Sequence, residues 1–475
     1  MSVGTHIAIL GAGPGGYVAA IRAAQLGARV TVIESQALGG VCLNWGCIPS
    51  KALLAVVELG EKVKKAGPMG LQVSGPVTYN LPQMVERKNQ VVAGLVKGIA
   101  TLFKAWEIEH IHGMGTIQDR QTVQVKVNDD SSRSVNADAI VIATGSSWPN
   151  LPQFPIDGSQ ILTSQQLLDL QQIPPRLLIL GGGVEGCEFA SLYSALGTDV
   201  TIVELMDRIL PLEDEEVSST MTRELKKRNV NVVTGTTVER LERHGETVTT
   251  YLKNGTTLDG QKVLVSVGRG FNSRGIGLEQ VGVRTGQRGE ILINEQMETS
   301  TPGIYAIGDV TGKSMLAHVA SAQGKAAVEN IMGHRTTIRY DVIPAGIFTL
   351  PEIGRVGLTE TQAREWAEAN GGEANASVKI GRFRYTALGK AQATGDTTGW
   401  CKVIAASSGK ILGVHIIGAH AADLIHEAAL AMQVGATVVQ VADMIHAHPT
   451  LAEGFMEAVE DTDARAIHLV RKKIG

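Results

Sequence analysis

The sequence predicts an α/β fold in which two doubly wound dinucleotide-binding domains precede a C-terminal α+β domain. Residues 6–34 have the pattern of a buried strand, a glycine-rich turn, a helix and a second strand that ends in an acid. Residues 176–204 repeat this pattern at a constant offset, which indicates two copies of one fold. From about residue 346 the pattern changes to a β-hairpin followed by helices, which indicates a domain of another kind.

The domain boundaries follow from these patterns and from the prolines between them. Pro149, Pro152 and Pro155 indicate a linker after the first domain. We therefore predict four segments: a first dinucleotide domain at 1–150, a second at 151–275, a central segment at 276–345 and a C-terminal domain at 346–475.

The composition limits the classes of function. The chain has 475 residues, of which 44% are hydrophobic and 19% charged, as in an ordinary globular protein with several cores. A net charge of −4 without a basic block argues against nucleic acid or an anionic membrane as the main partner. No apolar run reaches about 18 residues, so we expect no segment that spans a bilayer. No cleavable leader opens the sequence, so we expect a cytoplasmic protein, where a lasting disulfide is usually catalytic.

The first glycine turn has the residues that a dinucleotide site needs. Gly11 permits the tight turn, Gly13 lets the backbone approach a pyrophosphate, and Gly16 lets the helix pack on the strand. A phosphate would then lie at the helix N-terminus, where free N–H groups and the helix dipole favour an anion. Glu34 at the end of the second strand can accept a hydrogen bond from a ribose hydroxyl.

The next stretch, Gly39–Lys51, contains two of the four cysteines, Cys42 and Cys47. In a regular helix their Cα atoms would lie about 8–9 Å apart, whereas a disulfide needs roughly 4.4–6.8 Å. A bridge therefore requires a bent turn, which Gly46 could permit. A strained or exposed bridge is easily reduced and indicates a redox role, and the alternative is a pair of unrelated buried thiols.

The repeat places a second glycine turn at Gly181, Gly183 and Gly186, with Glu204 at the end of the following strand. Two such sites in one chain indicate electron transfer between two cofactors. An acid with no arginine directly after it favours NAD over NADP, although Arg208 four residues later weakens that preference.

Other segments supply candidate residues with weaker signals. A third apolar strand ends at Gly308-Asp309, and a helix is predicted from about Met315 to Ile331. The remaining candidate on a helix is Glu188, which we place in the first turn of the second-repeat helix, where an acid can simply compensate the dipole.

The segment His446–Glu453 contains a candidate base. Pro449 suits the first turn of a helix, which would leave His448 exposed at its start and able to titrate near neutral pH. Glu453 could orient the ring, but the histidine could also cap the helix and Glu453 could be a solvated charge. No metal site is predicted, because the two histidines have no cysteine ligand nearby.

With the glycine repeat, the cysteine stretch and the His448-Pro449-Thr450 segment together, the sequence resembles the dihydrolipoamide dehydrogenases, a family of flavin-dependent disulfide oxidoreductases, essentially from end to end. The resemblance implies FAD in the first domain and the central segment, NAD in the second domain, and a C-terminal domain that forms a homodimer interface. It assigns FAD binding to twelve residues: Gly11, Gly13, Gly16, Glu34, Lys51, Thr144, Gly145, Asp309, Met315, Leu316, Ala317 and His318.

The resemblance also implies the remaining roles. Cys42 would be the outer thiol that exchanges with substrate, and Cys47 would lie against the flavin. Lys51 and Glu188 would be a pair near the flavin ring. NAD would be held by the second motif and the end of a nearby strand: Gly181, Gly183, Gly186, Glu204 and Gly268.

In such an enzyme His448, held by Glu453, is the acid–base group, and it serves the thiols of the other subunit. The implied reaction is oxidation of protein-bound dihydrolipoamide with NAD⁺. The implied partners are lipoylated subunits of 2-oxo acid dehydrogenase complexes or the glycine cleavage H protein.

Some positions depart from the family pattern, among them Trp45 between the cysteines, Phe271, and the run from Val319 to Gln323. The alternatives are a glutathione reductase-like or mercuric reductase-like enzyme, which generally prefers NADPH, and a non-catalytic redox-sensing flavoprotein. Cys187 and Cys401 are expected to be buried and without a redox role.

Overall fold

The structure is a computed structural model that describes residues 4–127, 131–149, 151–370 and 377–470. It divides into two compact units. Unit 1 consists of Met1–Gly158, Leu162–Gln172 and Val267–Ile338, and unit 2 of Ser159–Ile161, Ile173–Ser266 and Arg339–Gly475. The finer division into four domains stays a prediction.

The strands, in chain order, are β1 (His6–Leu10), β2 (Arg29–Glu34), β3 (Glu109–Ile117), β4 (Thr122–Val127), β5 (Ser132–Asn136), β6 (Ala139–Ile142), β7 (Ser146–Ser147), β8 (Ile161–Leu162), β9 (Arg176–Leu180), β10 (Asp199–Val203), β11 (Asn231–Val233), β12 (Val238–His244), β13 (Thr247–Leu252), β14 (Thr257–Gly260), β15 (Lys262–Val265), β16 (Gly270–Phe271), β17 (Ile304–Ala306), β18 (Ala345–Ile347), β19 (Ile353–Gly357), β20 (Val378–Arg384), β21 (Gly399–Ala406) and β22 (Ile411–Gly418).

The helices are α1 (Pro14–Gln25), α2 (Gly40–Trp45), α3 (Cys47–Lys64), α4 (Leu81–Ala105), α5 (Ser164–Leu167), α6 (Val184–Ala195), α7 (Glu215–Lys227), α8 (Leu278–Val281), α9 (Ala317–Ile331), α10 (Glu360–Ala369), α11 (Gly389–Thr394), α12 (Ala421–Val434), α13 (Val438–Ala442) and α14 (Glu453–Asp461). Short 3₁₀ turns lie at Gly67–Met69, Gly308–Thr311, Tyr340–Val342 and Tyr385–Ala387.

Unit 1 is built on a seven-stranded sheet in the order β17-β6-β1-β2-β3-β4-β5. The first five strands of that order are parallel, and β4 and β5 extend the sheet as an antiparallel hairpin. Every residue of β1 is buried, as expected for a parallel strand with both faces covered. The carboxyl ends of β1, β2, β6 and β17 therefore meet at one edge, which is where a doubly wound fold binds ligands.

Unit 2 contains the second copy of the dinucleotide fold and the C-terminal sheet. Strands β11, β10, β9 and β15 are adjacent and parallel in that order. The C-terminal sheet is antiparallel, in the order β18-β19-β22-β21-β20, and its buried core includes Phe383, Val403, Val414, Ile416 and Phe455. The predicted fold class, two doubly wound domains and an α+β domain, is confirmed.

The two copies share their turn geometry. Gly11 and Gly181 have φ angles of 103° and 109°, values that favour glycine. A Cβ atom on Gly16 would lie 1.9 Å from the carbonyl oxygen of Gly11, and one on Gly186 would lie 2.0 Å from that of Gly181. Both helices can start against the preceding strand only because glycine occupies these positions.

Two predicted helix starts differ from the structure. The helix expected near Met315 begins at Ala317, and the one expected at Pro449 begins at Glu453. The prediction at Pro449 was wrong because the Thr450 N–H donates to the Glu453 carboxylate (2.8 Å) and its hydroxyl donates to the Ala447 carbonyl (2.8 Å). These bonds form a turn before the helix.

Within the described ranges, Gly40–Lys64 is the one stretch long and apolar enough to cross a membrane by length and composition. This is weak evidence for a span, since core helices pass the same test. The stretch is also interrupted at Gly46, which separates α2 from α3.

Candidate active site

The two cysteines lie on either side of a break between helices. α2 ends at Trp45, Gly46 has φ −138° and ψ −108°, and α3 begins at Cys47. Both cysteines are free thiols, and their side chains are hydrogen-bonded to each other. The break at Gly46 therefore brings together two residues that a continuous helix would separate, as the spacing required.

The two sulfurs of the pair have different surroundings. Cys42 is half-buried and Cys47 is exposed. The hydrogen bond to Cys47, together with burial, raises the pKa of the Cys42 thiol well above its usual range, and the nearby charge of Lys51 lowers it less. Cys42 therefore keeps its proton at neutral pH when the pair is reduced.

The thiol segment packs directly on the first glycine turn. The Gly39 N–H donates to the Ala12 carbonyl (2.8 Å), and a Cβ on Gly40 would lie 2.6 Å from the Gly13 Cα. The Asn44 amide ties α2 to this start by donating to the carbonyls of Leu38 (3.0 Å) and Gly40 (2.9 Å). The thiols are thus held close to the turn predicted to bind a dinucleotide.

A buried carboxylate supports the first glycine turn. Glu34 accepts hydrogen bonds from the backbone N–H groups of Ala12 (2.7 Å) and Gln36 (2.8 Å). No side chain caps the N-terminus of α1, and the nearest atom to a Cβ on Gly13 is 4.0 Å away. The turn thus presents an uncapped helix start beside free space, which fits the pyrophosphate of a dinucleotide.

The second turn repeats this arrangement. Glu204 accepts from the N–H groups of Gly182 (2.6 Å) and Met206 (2.8 Å), and no side chain caps α6 at Gly183. A Cβ on Gly183 would meet nothing within 4 Å. Arg208 donates to the Pro211 carbonyl (3.3 Å), so its guanidinium is engaged within its own loop.

Residues at the ends of β6 and β17 extend the ligand edge of unit 1. The Thr144 hydroxyl donates to the Asn272 carbonyl (2.7 Å), and the Asn272 amide donates back to the Thr144 carbonyl (2.9 Å). Asp309 accepts from the Ser146 hydroxyl (2.5 Å). Gly145, with a φ of 69°, lies between Thr144 and Ser146 and permits the turn.

The segment Met315–His318 leads into α9, which packs closely on α1. The Ser321 hydroxyl donates to the Pro14 carbonyl (3.2 Å), and a Cβ on Gly324 would lie 2.5 Å from the Gly15 carbonyl oxygen. Gln323 is fully buried and accepts from the Gly308 N–H (2.6 Å). The first glycine turn, the turn at Gly308 and helix α9 thus form one packed set.

Sequence reasoning did not assign Ser146, Asn272 or Gln323 to the site. Their partners lie far away in sequence, and a serine, an asparagine or a glutamine carries no local signal of its role.

The proposed base is part of a histidine–carboxylate pair in unit 2. His448 Nδ1 lies 2.8 Å from Glu453 Oε1, and Glu453 Oε2 accepts from the Thr450 N–H. Burial raises the pKa of Glu453, but the Thr450 N–H and His448 together lower it below its usual value. An ionised Glu453 accepts a hydrogen bond from Nδ1–H, so Nε2 is left as an acceptor on a ring that is 74% exposed.

Glu188 has a different place from the one predicted. It is the fifth residue of α6, and the acid in the first turn is Glu185, which accepts from the Ser266 hydroxyl (2.8 Å). Glu188 is buried and accepts from the Phe348 N–H (2.9 Å). A purely dipole-compensating role is therefore wrong for Glu188.

The predicted residues divide between the units. Unit 1 contains both thiols, Lys51 and the first glycine turn, whereas unit 2 contains the second glycine turn, Glu188 and the His448–Glu453 pair. Gly268 follows β15 with a φ of 108°. Cys187 and Cys401 are buried, as predicted, and no group of three or more possible metal ligands occurs in the part of the chain that the structure describes.

A redox-active thiol pair needs an electron carrier beside it, and the thiol segment packs on a glycine turn whose geometry fits a dinucleotide. The second turn has the same geometry. This combination defines a dinucleotide-dependent disulfide oxidoreductase.

The chain belongs to the pyridine nucleotide-disulphide oxidoreductase family. The family model with that description matches residues 5–324, and the model of its dimerisation domain matches residues 343–459. The resemblance found in the sequence is therefore confirmed, and the dimerisation domain indicates a homodimer.

Curated relatives cover nearly the whole chain. A dihydrolipoyl dehydrogenase of Geobacillus stearothermophilus is 41% identical, covering 99% of each chain, and one of Chlamydia muridarum is 40% identical, covering 95% of each. Among solved structures, LpdA of Mycobacterium tuberculosis has a TM-score of 0.89 at 30% identity, covering 96% of this chain and 99% of that one. The HOCl-induced flavoprotein disulfide reductase RclA of Escherichia coli has a TM-score of 0.84 at 25% identity, with the same coverage.

We expect Gly16→Ala to abolish retention of the flavin. The new Cβ would lie 1.9 Å from the backbone oxygen of Gly11, so the turn must open and lose its dinucleotide geometry. The measurement is flavin absorbance per chain after gel filtration. Gly94→Ala in α4 is the control, because its Cβ meets nothing within 4 Å and the protein should stay fully yellow. A fully yellow Gly16→Ala protein would contradict the assignment of this turn.

Proposed function

We propose that this chain oxidises a protein-bound dihydrolipoamide to lipoamide and passes the electrons through Cys42 and Cys47 and bound FAD to NAD⁺. The observation that carries the proposal is the packing of the thiol segment on the first glycine turn, through Gly39 and Gly40. The names of the relatives at about 40% identity supply the substrate.

The exchange begins at His448. Its Nε2 accepts the proton of one substrate thiol, since Nδ1 is held by Glu453, and the thiolate is the reactive nucleophile. That thiolate attacks Cys42 Sγ, a mixed disulfide forms, the Cys42–Cys47 bond breaks, and Cys47 leaves as a thiolate. The second substrate thiol then loses its proton to solvent and attacks the substrate sulfur of the mixed disulfide. This closes the cyclic disulfide and releases Cys42, which takes up the proton held by His448.

This sequence leaves one negative charge on the reduced pair, and we place that charge on Cys47, the sulfur that leaves as a thiolate. Bound FAD would supply the two-electron acceptor beside Cys47, with NAD⁺ as the final acceptor. For a two-electron couple about 30 mV corresponds to about 1.4 kcal/mol, so small local changes decide the direction of the exchange.

The residues that would hold FAD are those at the ligand edge of unit 1, and their supporting bonds were described above. Lys51 and Glu188 would lie near the flavin ring. NAD⁺ would lie on the second turn, beside Glu204 and Gly268. We expect this site to prefer NAD⁺ over NADP⁺, because a buried carboxylate repels an additional phosphate.

The proposed dimer completes the site. The region matched by the dimerisation-domain model, 343–459, contains both His448 and Glu453, whereas the thiols lie in the other matched region. As the resemblance implies, we assign the base of each site to the opposite subunit. The further partners would be lipoylated subunits of 2-oxo acid dehydrogenase complexes or the glycine cleavage H protein, and the location would be the cytoplasm.

Anaerobic mixing of the yellow protein with dithiols tests the proposal. Dihydrolipoamide should reduce the flavin rapidly and glutathione should not, and NAD⁺ should then reoxidise it much faster than NADP⁺. Rapid reduction by glutathione, or a preference for NADP⁺, would favour the glutathione reductase-like alternative. Absence of reduction by any dithiol would favour the non-catalytic alternative.

A further inference from the structure

An ionic cluster in unit 2, with a buried lysine and a buried aspartate at its centre, has no role in the chemistry described so far. At its centre, Lys402 Nζ lies 2.9 Å from Asp214 Oδ1, 3.0 Å from Glu216 Oε1 and 2.8 Å from Glu360 Oε2. The side chains of Lys402 and Asp214 are only 1% and 2% exposed. We call Lys402, Asp214, Glu216 and Glu360 the Lys402 cluster.

The cluster joins the second dinucleotide fold to the C-terminal sheet. Lys402 lies on β21, whereas Asp214 and Glu216 lie at the start of α7, which follows the Glu204 loop. Two arginines of the same sheet strengthen the junction: Arg382 contacts Glu216 (2.5 Å) and Glu360 (3.0 Å), and Arg355 contacts Glu213 (2.9 Å). All these cations come from the sheet.

Removing a lysine and an aspartate from water costs more than their attraction often returns, so stability alone is a weak reason for such a cluster. In some proteins buried charges instead fix the geometry of the elements that they join. The element that the Lys402 cluster holds in place is the start of α7, where Asp214 and Glu216 lie.

The hydrogen bonds lead from α7 to the second glycine turn. Asp214 caps α7 by accepting from the Glu216 N–H (3.0 Å), and the Ser218 hydroxyl donates to the Ile209 carbonyl (2.6 Å). The next residue, Leu210, donates its N–H to the Gly182 carbonyl (2.7 Å).

The turn at Ile209–Leu210 is itself constrained. Leu210 is 2% exposed and has a φ of 48°, a conformation that a leucine keeps only where its surroundings impose it. A Cβ on Gly182 would lie 2.8 Å from Ile209 Cγ2 and 3.1 Å from the Glu204 Cβ, so this turn and the acid fill the space behind the glycine turn.

The geometry points to Lys402 as a positioning residue for the second dinucleotide site. It holds Asp214 and the start of α7, which hold the Ile209–Leu210 turn against Gly182. This inference rests on the proposed function only in taking NAD⁺ as the ligand of that site.

The test is Lys402→Met in the full-length flavin-loaded protein. The Kd for NAD⁺ should rise about tenfold, as coupling through packed elements typically allows. Anaerobic reduction of the flavin by dihydrolipoamide does not use this site and should keep its rate. Lys402→Arg, which retains the charge, should recover most of the affinity.

Lys379→Met is the matched control, because Lys379 on the neighbouring strand β20 pairs with Asp463 (2.7 Å) at a more exposed position. It should leave the Kd unchanged. If Lys402→Met does not fold, Ser218→Ala removes the link to Ile209 without leaving a buried charge, and it should raise the Kd in the same way.

An unchanged Kd in folded Lys402→Met and Ser218→Ala proteins overturns the inference. So does an equal loss of NAD⁺ binding and of flavin reduction, which would indicate general damage. Failure of the proposed function would give a different result: dihydrolipoamide would not reduce the flavin of the unsubstituted protein.

Discussion

Cys47→Ser should lower NAD⁺-dependent oxidation of dihydrolipoamide by more than about 10³-fold, because the exchange needs a second sulfur to form and break the bond. A serine hydroxyl neither forms that bond nor ionises at neutral pH. Steady-state turnover of the flavin-loaded protein measures the loss. Flavin content should stay normal, because the glycine turns and their supporting carboxylates are untouched.

Cys401→Ala is the control for this experiment. Cys401 is 1% exposed in the core of the C-terminal sheet, so its replacement should leave turnover per flavin close to normal. Substantial dithiol-dependent turnover in the Cys47→Ser protein would remove the thiol pair from the mechanism and leave the chain as a flavoprotein of another activity.

His448→Gln should lower the same activity by about 10²–10⁴-fold, the usual contribution of a positioned acid–base group. The glutamine amide is not basic, so it cannot take the substrate proton that Nε2 of His448 accepts. Glu453 also loses the imidazole ring that it orients. NAD⁺ binding and flavin content should not change.

Mixed dimers locate the base. If His448 serves the opposite subunit, coexpression of Cys47→Ser and His448→Gln chains restores one complete site in each mixed dimer, or about a quarter of the normal activity at random pairing. If the base serves its own chain, no mixed dimer has a complete site. Activity no greater than that of the separate variants would exclude the shared arrangement.

The doubly wound folds could be predicted from the sequence because their signals are local. A buried strand, glycines at fixed spacing and a terminal acid lie within one short segment, and the second copy repeats them. The bend at Gly46 was predictable for the same reason. A disulfide between Cys42 and Cys47 is too short for a regular helix, and the glycine that permits a bend lies between them.

The Lys402 cluster could not be predicted in this way. Lys402 and Asp214 are 188 positions apart, and neither differs by itself from an ordinary surface charge. The start of α14 was missed on a smaller scale, because Pro449 is compatible with a helix start and only the Thr450–Glu453 bond shows that a turn comes first. Long-range pairs and competing local bonds both require coordinates.

The matching hydrogen bonds from the Ala12 N–H to Glu34 and from the Gly182 N–H to Glu204 indicate a common origin of the two segments. Two segments with the same spacing and the same internal bonds are what duplication of one ancestral gene segment leaves behind. The copies then diverged in the stretch that follows each acid. After Glu34 that stretch contains the thiol pair, and after Glu204 it contains the start of α7, which the Lys402 cluster joins to the C-terminal sheet.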